Sequence, residues 1–142
     1  MKKYSASIHI DASPQQVWNI LADPAGYPEW DPGMVRVEGQ LAQGEKVKFF
    51  TKFSPEQAFA VKVTAFEPSQ KMVFTGGMPL GLFKSERTHM LTAQASGGTL
   101  FYTEEIFSGL LLPVFGRSLP DLTASFEAFA AGLKQRAELA DS

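Results

Sequence analysis

Apolar and polar residues alternate with a period of two along most of the stretch from Met34 to Phe107, and this pattern constrains the fold more than any other feature. It is clearest between Lys46 and Phe53, where valine, phenylalanine and threonine alternate with lysine. A period of two predicts strands with one apolar and one polar face. Glycine, proline and serine interrupt the pattern at short intervals, which predicts tight turns between antiparallel neighbours.

Other strands follow from the same pattern. Residues Tyr4 to Ile10 alternate and predict a first strand. Two longer strands, about Leu82 to Ala93 and Thr99 to Phe107, are joined by a glycine-rich hairpin turn. In the middle of the sheet, one apolar face is predicted to comprise Phe59, Val61, Val63 and Ala65, and the face of the next strand to comprise Met72, Phe74 and Gly76.

Two short helices are predicted between the first and second strands. Ser13, Pro14 and Gln16 form a capping box with proline at the first helical position. Asp23-Pro24 ends this helix, because the residue before a proline is pushed out of the helical region. The proline- and glycine-rich segment up to Gly33 predicts a broken helical turn that places its aromatic residues against the core.

The period changes to that of a helix near the C-terminus. Ser118-Leu119-Pro120-Asp121 predicts a helix start, with a cap, an early proline and an acid in the first turn. Apolar residues then recur at alternating spacings of three and four, namely Leu119, Leu122, Phe126, Phe129 and Leu133.

These elements predict a single α+β domain over residues 1–142, in which a curved seven-stranded antiparallel sheet wraps around the long C-terminal helix. The sheet needs a cover for its apolar face, and this helix carries the matching stripe. A helix roughly 10 Å wide is too narrow for seven strands about 4.8 Å apart. The sequence therefore predicts an internal apolar cavity.

Composition excludes several classes of protein. The net charge of -2 argues against general nucleic-acid binding. The absence of cysteine excludes disulfides and thiolate metal sites, and no cofactor or metal site is predicted. The N-terminus does not read as a signal peptide, and no apolar run approaches the ~20 residues of a membrane span. The expected location is the cytoplasm.

The segment from Ile10 to Pro14, followed by Val17-Trp18 and Trp30-Asp31-Pro32, resembles the opening of the START-like (SRPBCC) superfamily, and the stretch from Glu105 to Gly109 resembles its small bacterial members. The superfamily includes polyketide cyclases and dehydrases, the birch-pollen allergen group, lipid-transfer domains and relatives of a chaperone-ATPase activator. The resemblance covers the whole chain and implies a helix-grip fold with an apolar pocket. It implies no particular reaction.

No motif of catalytic strength is present, but one polar pair interrupts an apolar strand. Alternation places either Glu104 or Glu105 on the inner face, and the sequence leaves both registers open. Arg87 and His89 share one face of the neighbouring strand and are candidate partners. On the inner face, such a cluster would orient a ligand, and its residues would be weak candidates for proton transfer in catalysis. On the outer surface, it would be a structural ion pair.

The predicted function is binding of a small hydrophobic or amphipathic ligand, such as a lipid, an aromatic compound or a polyketide-like metabolite, and binding is favoured over catalysis. The alternatives are a cyclase or dehydratase using the same cavity, and a protein-interaction module or homodimer using the apolar loops at residues 76–82 and 109–116. These loops are interpreted either as flaps, as contact surfaces or as part of the core. The predicted ligand-binding residues are Trp30, Phe49, Phe59, Val61, Phe74, Arg87, His89, Leu91, Phe101, Glu105, Phe107, Phe126 and Phe129.

Overall fold

A computed structural model describes residues 1–52, 54–115 and 121–140 of the chain and contains one curved, antiparallel, seven-stranded sheet. The strands are β1 (Lys2–Ile10), β2 (Met34–Glu38), β3 (Lys46–Thr51), β4 (Ser54–Glu67), β5 (Lys71–Met78), β6 (Phe83–Ala93) and β7 (Thr99–Ser108). The helices are α1 (Pro14–Leu21), α2 (Tyr27–Trp30), α3 (Leu112–Phe115) and α4 (Thr123–Ala140), with a 3-10 turn at Pro24–Gly26. The α+β helix-grip prediction is confirmed.

The order of strands across the sheet is β1-β7-β6-β5-β4-β3-β2. From β2 to β7, each strand pairs with the next one along the chain. The first strand, β1, pairs with the last, β7, from Lys2 opposite Phe107 to Ile10 opposite Thr99. The helices α1 and α2 connect β1 at one edge to β2 at the other. They therefore close one end of the curved sheet.

Local sequence signals set α1 and α2. The Ser13 side chain accepts a hydrogen bond from the Gln16 backbone N at 3.2 Å, and the Gln16 side chain accepts one from the Ser13 backbone N at 2.8 Å. The predicted capping box is thus confirmed. Tyr27 and Trp30 of α2 are buried in the core, as the broken-turn interpretation predicts.

The long helix α4 lies across the concave face of the sheet and packs on β1 and α1. Its stripe of Phe126, Phe129 and Leu133 is buried, and Ala130 and Ala137 beside it are buried as well. The predicted start at residues 118–120 lies outside the described residues. Asp121 accepts a hydrogen bond from the Thr123 backbone N at 3.0 Å, so an acid does precede the first turn.

The apolar face predicted for β4 is wrong at its last residue, Ala65, because β4 contains a bulge. Val63 lies opposite Phe74 of β5, but beyond the irregularity it is Phe66 that lies opposite Met72. A bulge adds one residue to one strand and reverses the alternation after it. Phe66, and not the predicted Ala65, therefore shares the concave face with Met72.

Candidate functional site

The register of β6 and β7 decides which glutamate faces inward. Glu105 lies opposite Arg87, and Thr103 lies opposite His89; directly opposed residues in a sheet share a face. Thr103 is fully buried, and Phe101 on the same face packs on Phe129 of α4, which identifies this face as the concave one. Glu104 points the other way and forms an ion pair with Lys3 at 3.2 Å. The inward carboxylate is therefore Glu105.

Arg87 is the centre of the polar groups on this face. Its Nε donates a hydrogen bond to Thr103 Oγ1 at 2.9 Å, and its NH1 lies 3.7 Å from Glu105 Oε1. The guanidinium also lies over the ring of Phe126, 3.9 Å from the ring centre. Burial lowers the pKa of Arg87 below its usual value, and Glu105 opposes that shift by favouring the cation.

His89 is held next to Arg87 as a neutral ring. Its Nδ1 lies 3.0 Å from Thr103 Oγ1. Because the Arg87 nitrogen only donates, Thr103 accepts from it and keeps its own hydroxyl hydrogen for His89 Nδ1. Burial, with the nearby Arg87 cation, lowers the pKa of His89 well below its usual value. We therefore assign the tautomer that carries its hydrogen on Nε2, which makes that atom a donor.

Two carboxyl groups, the partly buried Glu105 and the buried Asp31, interact electrostatically with the arginine. Burial raises the pKa of Glu105 above its usual value, and the Arg87 cation pulls it back in part. Asp31, which follows α2, is 6% exposed and accepts a hydrogen bond from the Gly33 backbone N at 3.0 Å. Burial raises the pKa of Asp31 as well, while the Gly33 N–H and the Arg87 charge lower it. Both acids hold their protons to a higher pH than usual.

Sequence reasoning missed Asp31 and Thr103 as members of this cluster. Asp31 lies between Trp30 and Pro32 in the segment that carries the family resemblance, and it is buried in the folded chain. What joins both to Arg87 is long-range packing of strand on strand and of α2 near the sheet, which no local pattern encodes.

The predicted lining residues fall into two groups along the concave face. In the deep half the rings pack on one another, since the His89 ring centre lies 5.7 Å from Phe74, 5.7 Å from Phe101 and 5.2 Å from Phe129. Leu91 belongs to the same buried cluster, and so does Trp30, whose ring centre is 4.9 Å from that of Phe129. These side chains fill the deep half as ordinary core.

The outer half of the face is more open. Phe49 and Val61 are partly buried, and Phe59, which lies opposite Phe49, is 57% exposed. Phe107 is buried at the same end. Arg87 and Glu105 stand at the boundary between the halves, with 20% and 18% of their side chains exposed. The polar cluster therefore lies between the buried rings and the more exposed, apolar end of the concave face.

A separate groove of about 380 Å³ lies on the outside of the molecule, between α2 and α4, and is open to solvent. Glu29, Gln135 and Gly132 contribute to its walls. The two helices are very close here, because a Cβ atom on Gly132 would lie 1.9 Å from the Trp30 carbonyl oxygen. This groove does not open onto Arg87, whose neighbours are on the sheet and the inner side of α4.

No helix in residues 1–52, 54–115 and 121–140 has the length and hydropathy needed to cross a bilayer. In the same part of the chain, histidine and carboxylate side chains do not gather in groups of three that would hold a metal ion.

Comparisons with known proteins agree with this fold. The family model described as "Polyketide cyclase / dehydrase and lipid transport" matches residues 1–138. Among solved structures, a Mesorhizobium loti protein superposes with a TM-score of 0.77 at 20% identity over 99% of this chain and 100% of its own. A START superfamily protein from Mycobacterium smegmatis gives 0.70 at 15% identity, over 97% and 98%.

The di-domain ARO/CYC protein BexL has a TM-score of 0.74 at 15% identity, and the match spans all of this chain but 48% of that one. At these identities the structural matches show a common fold. A search of curated proteins found none that matches. The family match supports a ligand-binding or cyclase role and names neither a ligand nor an activity.

Proposed function

The chain belongs to the polyketide cyclase / dehydrase and lipid transport family, and on this basis we propose that it binds a small hydrophobic or amphipathic molecule on the outer half of the concave face. The apolar body of the ligand rests against Phe49, Val61 and Phe107. A hydrogen-bond acceptor on the ligand faces the guanidinium of Arg87.

The observation that carries the proposal is the incomplete coordination of Arg87. A guanidinium has five N–H donors. Within the described part of the chain, its polar partners are Thr103 at hydrogen-bond distance and Glu105 at 3.7 Å, which is longer than a hydrogen bond. A buried cation with donors to spare is costly unless an acceptor completes it. A ligand carbonyl, hydroxyl or acid group does so.

The surroundings of Arg87 favour an apolar ligand body over a polar one. Pockets for small molecules are mostly apolar, with a few polar groups that fix orientation. Here the polar groups are gathered at one place, whereas Phe49, Phe59 and Val61 extend from it towards solvent. A ligand with one polar end and an aromatic or aliphatic remainder matches that division.

A second candidate function, catalysis of a cyclase or dehydratase type, is favoured by the two acids. A carboxyl group that keeps its proton to a higher pH serves as a general acid, and a neutral imidazole accepts or relays a proton. Glu105 and Asp31 have raised pKa values, and His89 is neutral, close to the same guanidinium. In that case Arg87 orients a carbonyl group, and Glu105 exchanges a proton with the reacting chain.

The binding proposal is tested with the dye 1-anilinonaphthalene-8-sulfonate, an aromatic anion with the expected division into polar and apolar parts. Its fluorescence is titrated with the native chain, with Arg87→Met/Glu105→Leu, which removes both members of the ion pair together, and with Lys84→Met as the exposed control. We expect at least tenfold weaker binding for the double variant and no change for the control. Equal binding by all three proteins would refute the proposed site.

Native mass spectrometry of freshly purified protein then separates binding from catalysis. A molecule that co-purifies and keeps its mass on incubation supports a carrier. Loss of one water from that molecule, abolished by Glu105→Gln while binding persists, supports a dehydratase or cyclase. Circular dichroism of each variant establishes that it is folded.

A further inference from the structure

The carboxyl group of Glu105 has no hydrogen bond within the described part of the chain. Its Oε1 lies 3.7 Å from Arg87 NH1, and 18% of its side chain is exposed. An ionised carboxylate accepts hydrogen bonds on both oxygens, so holding it partly buried without a donor is costly. Glu105 therefore balances the charge of Arg87 but does not complete its hydrogen bonding.

The edge of the Arg87 guanidinium that carries NH1 and NH2 is open in the same part of the chain. The Nε atom is occupied, since it donates to Thr103 Oγ1 at 2.9 Å. One flat side of the group is covered by the ring of Phe126, whose centre is 3.9 Å away. The remaining N–H groups lie in the plane of the guanidinium, so an acceptor meets Arg87 at this edge. Two parallel N–H groups match the two oxygens of an acid better than the single oxygen of an alcohol or a ketone.

We propose that the ligand of this site is an amphiphilic acid whose anion pairs with Arg87 and shares one proton with Glu105. The inference rests on the proposed function and narrows its ligand class. Two carboxylates held side by side do not both stay ionised, and one of them takes up a proton. The proton comes from solvent and resides on Glu105, which then donates its O–H to the anion while Arg87 donates two N–H groups. Binding thus completes the hydrogen bonding of both side chains.

The groups that face Glu105 favour this proton uptake. Arg87 lies opposite it on β6, and Tyr4 lies opposite it on β1. His89 and Lys2 lie two residues further along these strands, on the same face, and α4 contributes aromatic rings there. None of these four residues is a carboxylic acid that competes for the proton. Burial already raises the pKa of Glu105 above its usual value.

Two further titratable groups, Asp31 and Tyr27, interact with the charge of Arg87 from the side of α2. Each already has a hydrogen bond to a nearby backbone group. Glu105 has none in the described residues, so it gains most from a proton that it can donate to a ligand. We therefore assign the proton to Glu105.

The first test is the pH dependence of dye binding. The sulfonate of 1-anilinonaphthalene-8-sulfonate stays ionised near neutral pH, and burial keeps His89 neutral there. Uptake of one proton strengthens binding about tenfold for each unit by which the pH falls. We expect the native chain to bind the dye at least tenfold more tightly at about pH 6 than at about pH 8. Glu105→Gln should bind equally at both, whereas Glu86→Gln, which removes a more exposed acid of β6, should keep the native dependence.

The second test compares a matched pair of ligands on the native chain. 1-Naphthaleneacetic acid and 1-naphthaleneacetamide share one ring system, but only the acid is charged at about pH 6. We expect the acid to displace the dye at a concentration at least tenfold lower than the amide. This comparison uses no variant, so it decides the ligand class even if circular dichroism shows that Glu105→Gln is unfolded.

The outcomes separate this inference from the proposed function. Equal dye binding at the two pH values, a dependence that persists in folded Glu105→Gln, or equal displacement by acid and amide would each overturn the inference and leave the ligand site in place. Absence of dye binding at both pH values would refute the ligand site, and the inference would fail with it. A dependence lost in Glu105→Gln but kept in Glu86→Gln, with preference for the acid, supports the shared proton.

Discussion

Two ion pairs whose cations lie on β6 allow the cost of burial to be measured at constant distance. Arg87 lies 3.7 Å from Glu105, and Lys84 lies 3.7 Å from Glu86. The side chains of the first pair are 20% and 18% exposed, and those of the second are 55% and 42% exposed. Replacing each cation by methionine keeps much of the side-chain volume and removes the charge. The two variants therefore differ chiefly in the burial of the anion left behind.

The expected magnitudes follow from that difference. Removing one partner of an exposed pair costs about 0–1 kcal/mol, so Lys84→Met should be nearly neutral. Removing one partner of a buried pair costs about 3–5 kcal/mol. Since a fifth of the Arg87 side chain is exposed, we expect the free energy of unfolding to fall by about 3 kcal/mol in Arg87→Met. Part of this is the lost hydrogen bond to Thr103, worth about 1 kcal/mol.

Removing the second charge should restore most of the loss. In Arg87→Met/Glu105→Leu the carboxylate of the pair is removed together with its cation, while Asp31 keeps its hydrogen bond from the Gly33 backbone N, and replacing a buried pair by apolar residues is often neutral. Urea unfolding followed by far-ultraviolet circular dichroism measures all four proteins. The reasoning is refuted if Arg87→Met loses no more stability than Lys84→Met, or if the double variant is as unstable as Arg87→Met.

Two further predictions concern α4 and His89. Alanine at a helical glycine normally stabilises by about 1 kcal/mol, but a Cβ on Gly132 would lie 1.9 Å from the Trp30 oxygen. Gly132→Ala should therefore lower the thermal midpoint of unfolding. In the control Gly33→Ala, the nearest atom to the new Cβ is 3.6 Å away, so the midpoint should not fall. A higher midpoint for Gly132→Ala would contradict the close approach of the two helices. The pKa of His89 is lower in the folded than in the unfolded chain. The stability of the fold is therefore unaffected by this residue's titration above about pH 6.5, and it decreases as the pH falls below that value and the unfolded chain takes up the proton. Urea titrations at about pH 7 and about pH 5 should show a smaller loss of stability for His89→Gln than for the native chain or for His9→Gln, and equal losses would exclude the depressed pKa.

Local patterns were sufficient for the elements themselves. The capping box of Ser13 and Gln16, the hairpin before Thr99 and the apolar stripe of α4 each depend on residues a few positions apart. Contacts of this kind are encoded where they occur. The single sheet under one helix then followed from the need of each apolar face for a cover.

The site required long-range pairing. A period of two shows that a strand has two faces but does not identify the inner one, so Glu104 and Glu105 stayed equivalent until β7 was paired with β6. The bulge near Thr64 changed a face for the same reason, since its position depends on the partner strand. Asp31 comes near Arg87 only when α2 closes the end of the sheet. Sequence determined which side chains were available, and tertiary structure decided which of them share one buried space, because burial and charge pairing depend on residues far apart along the chain.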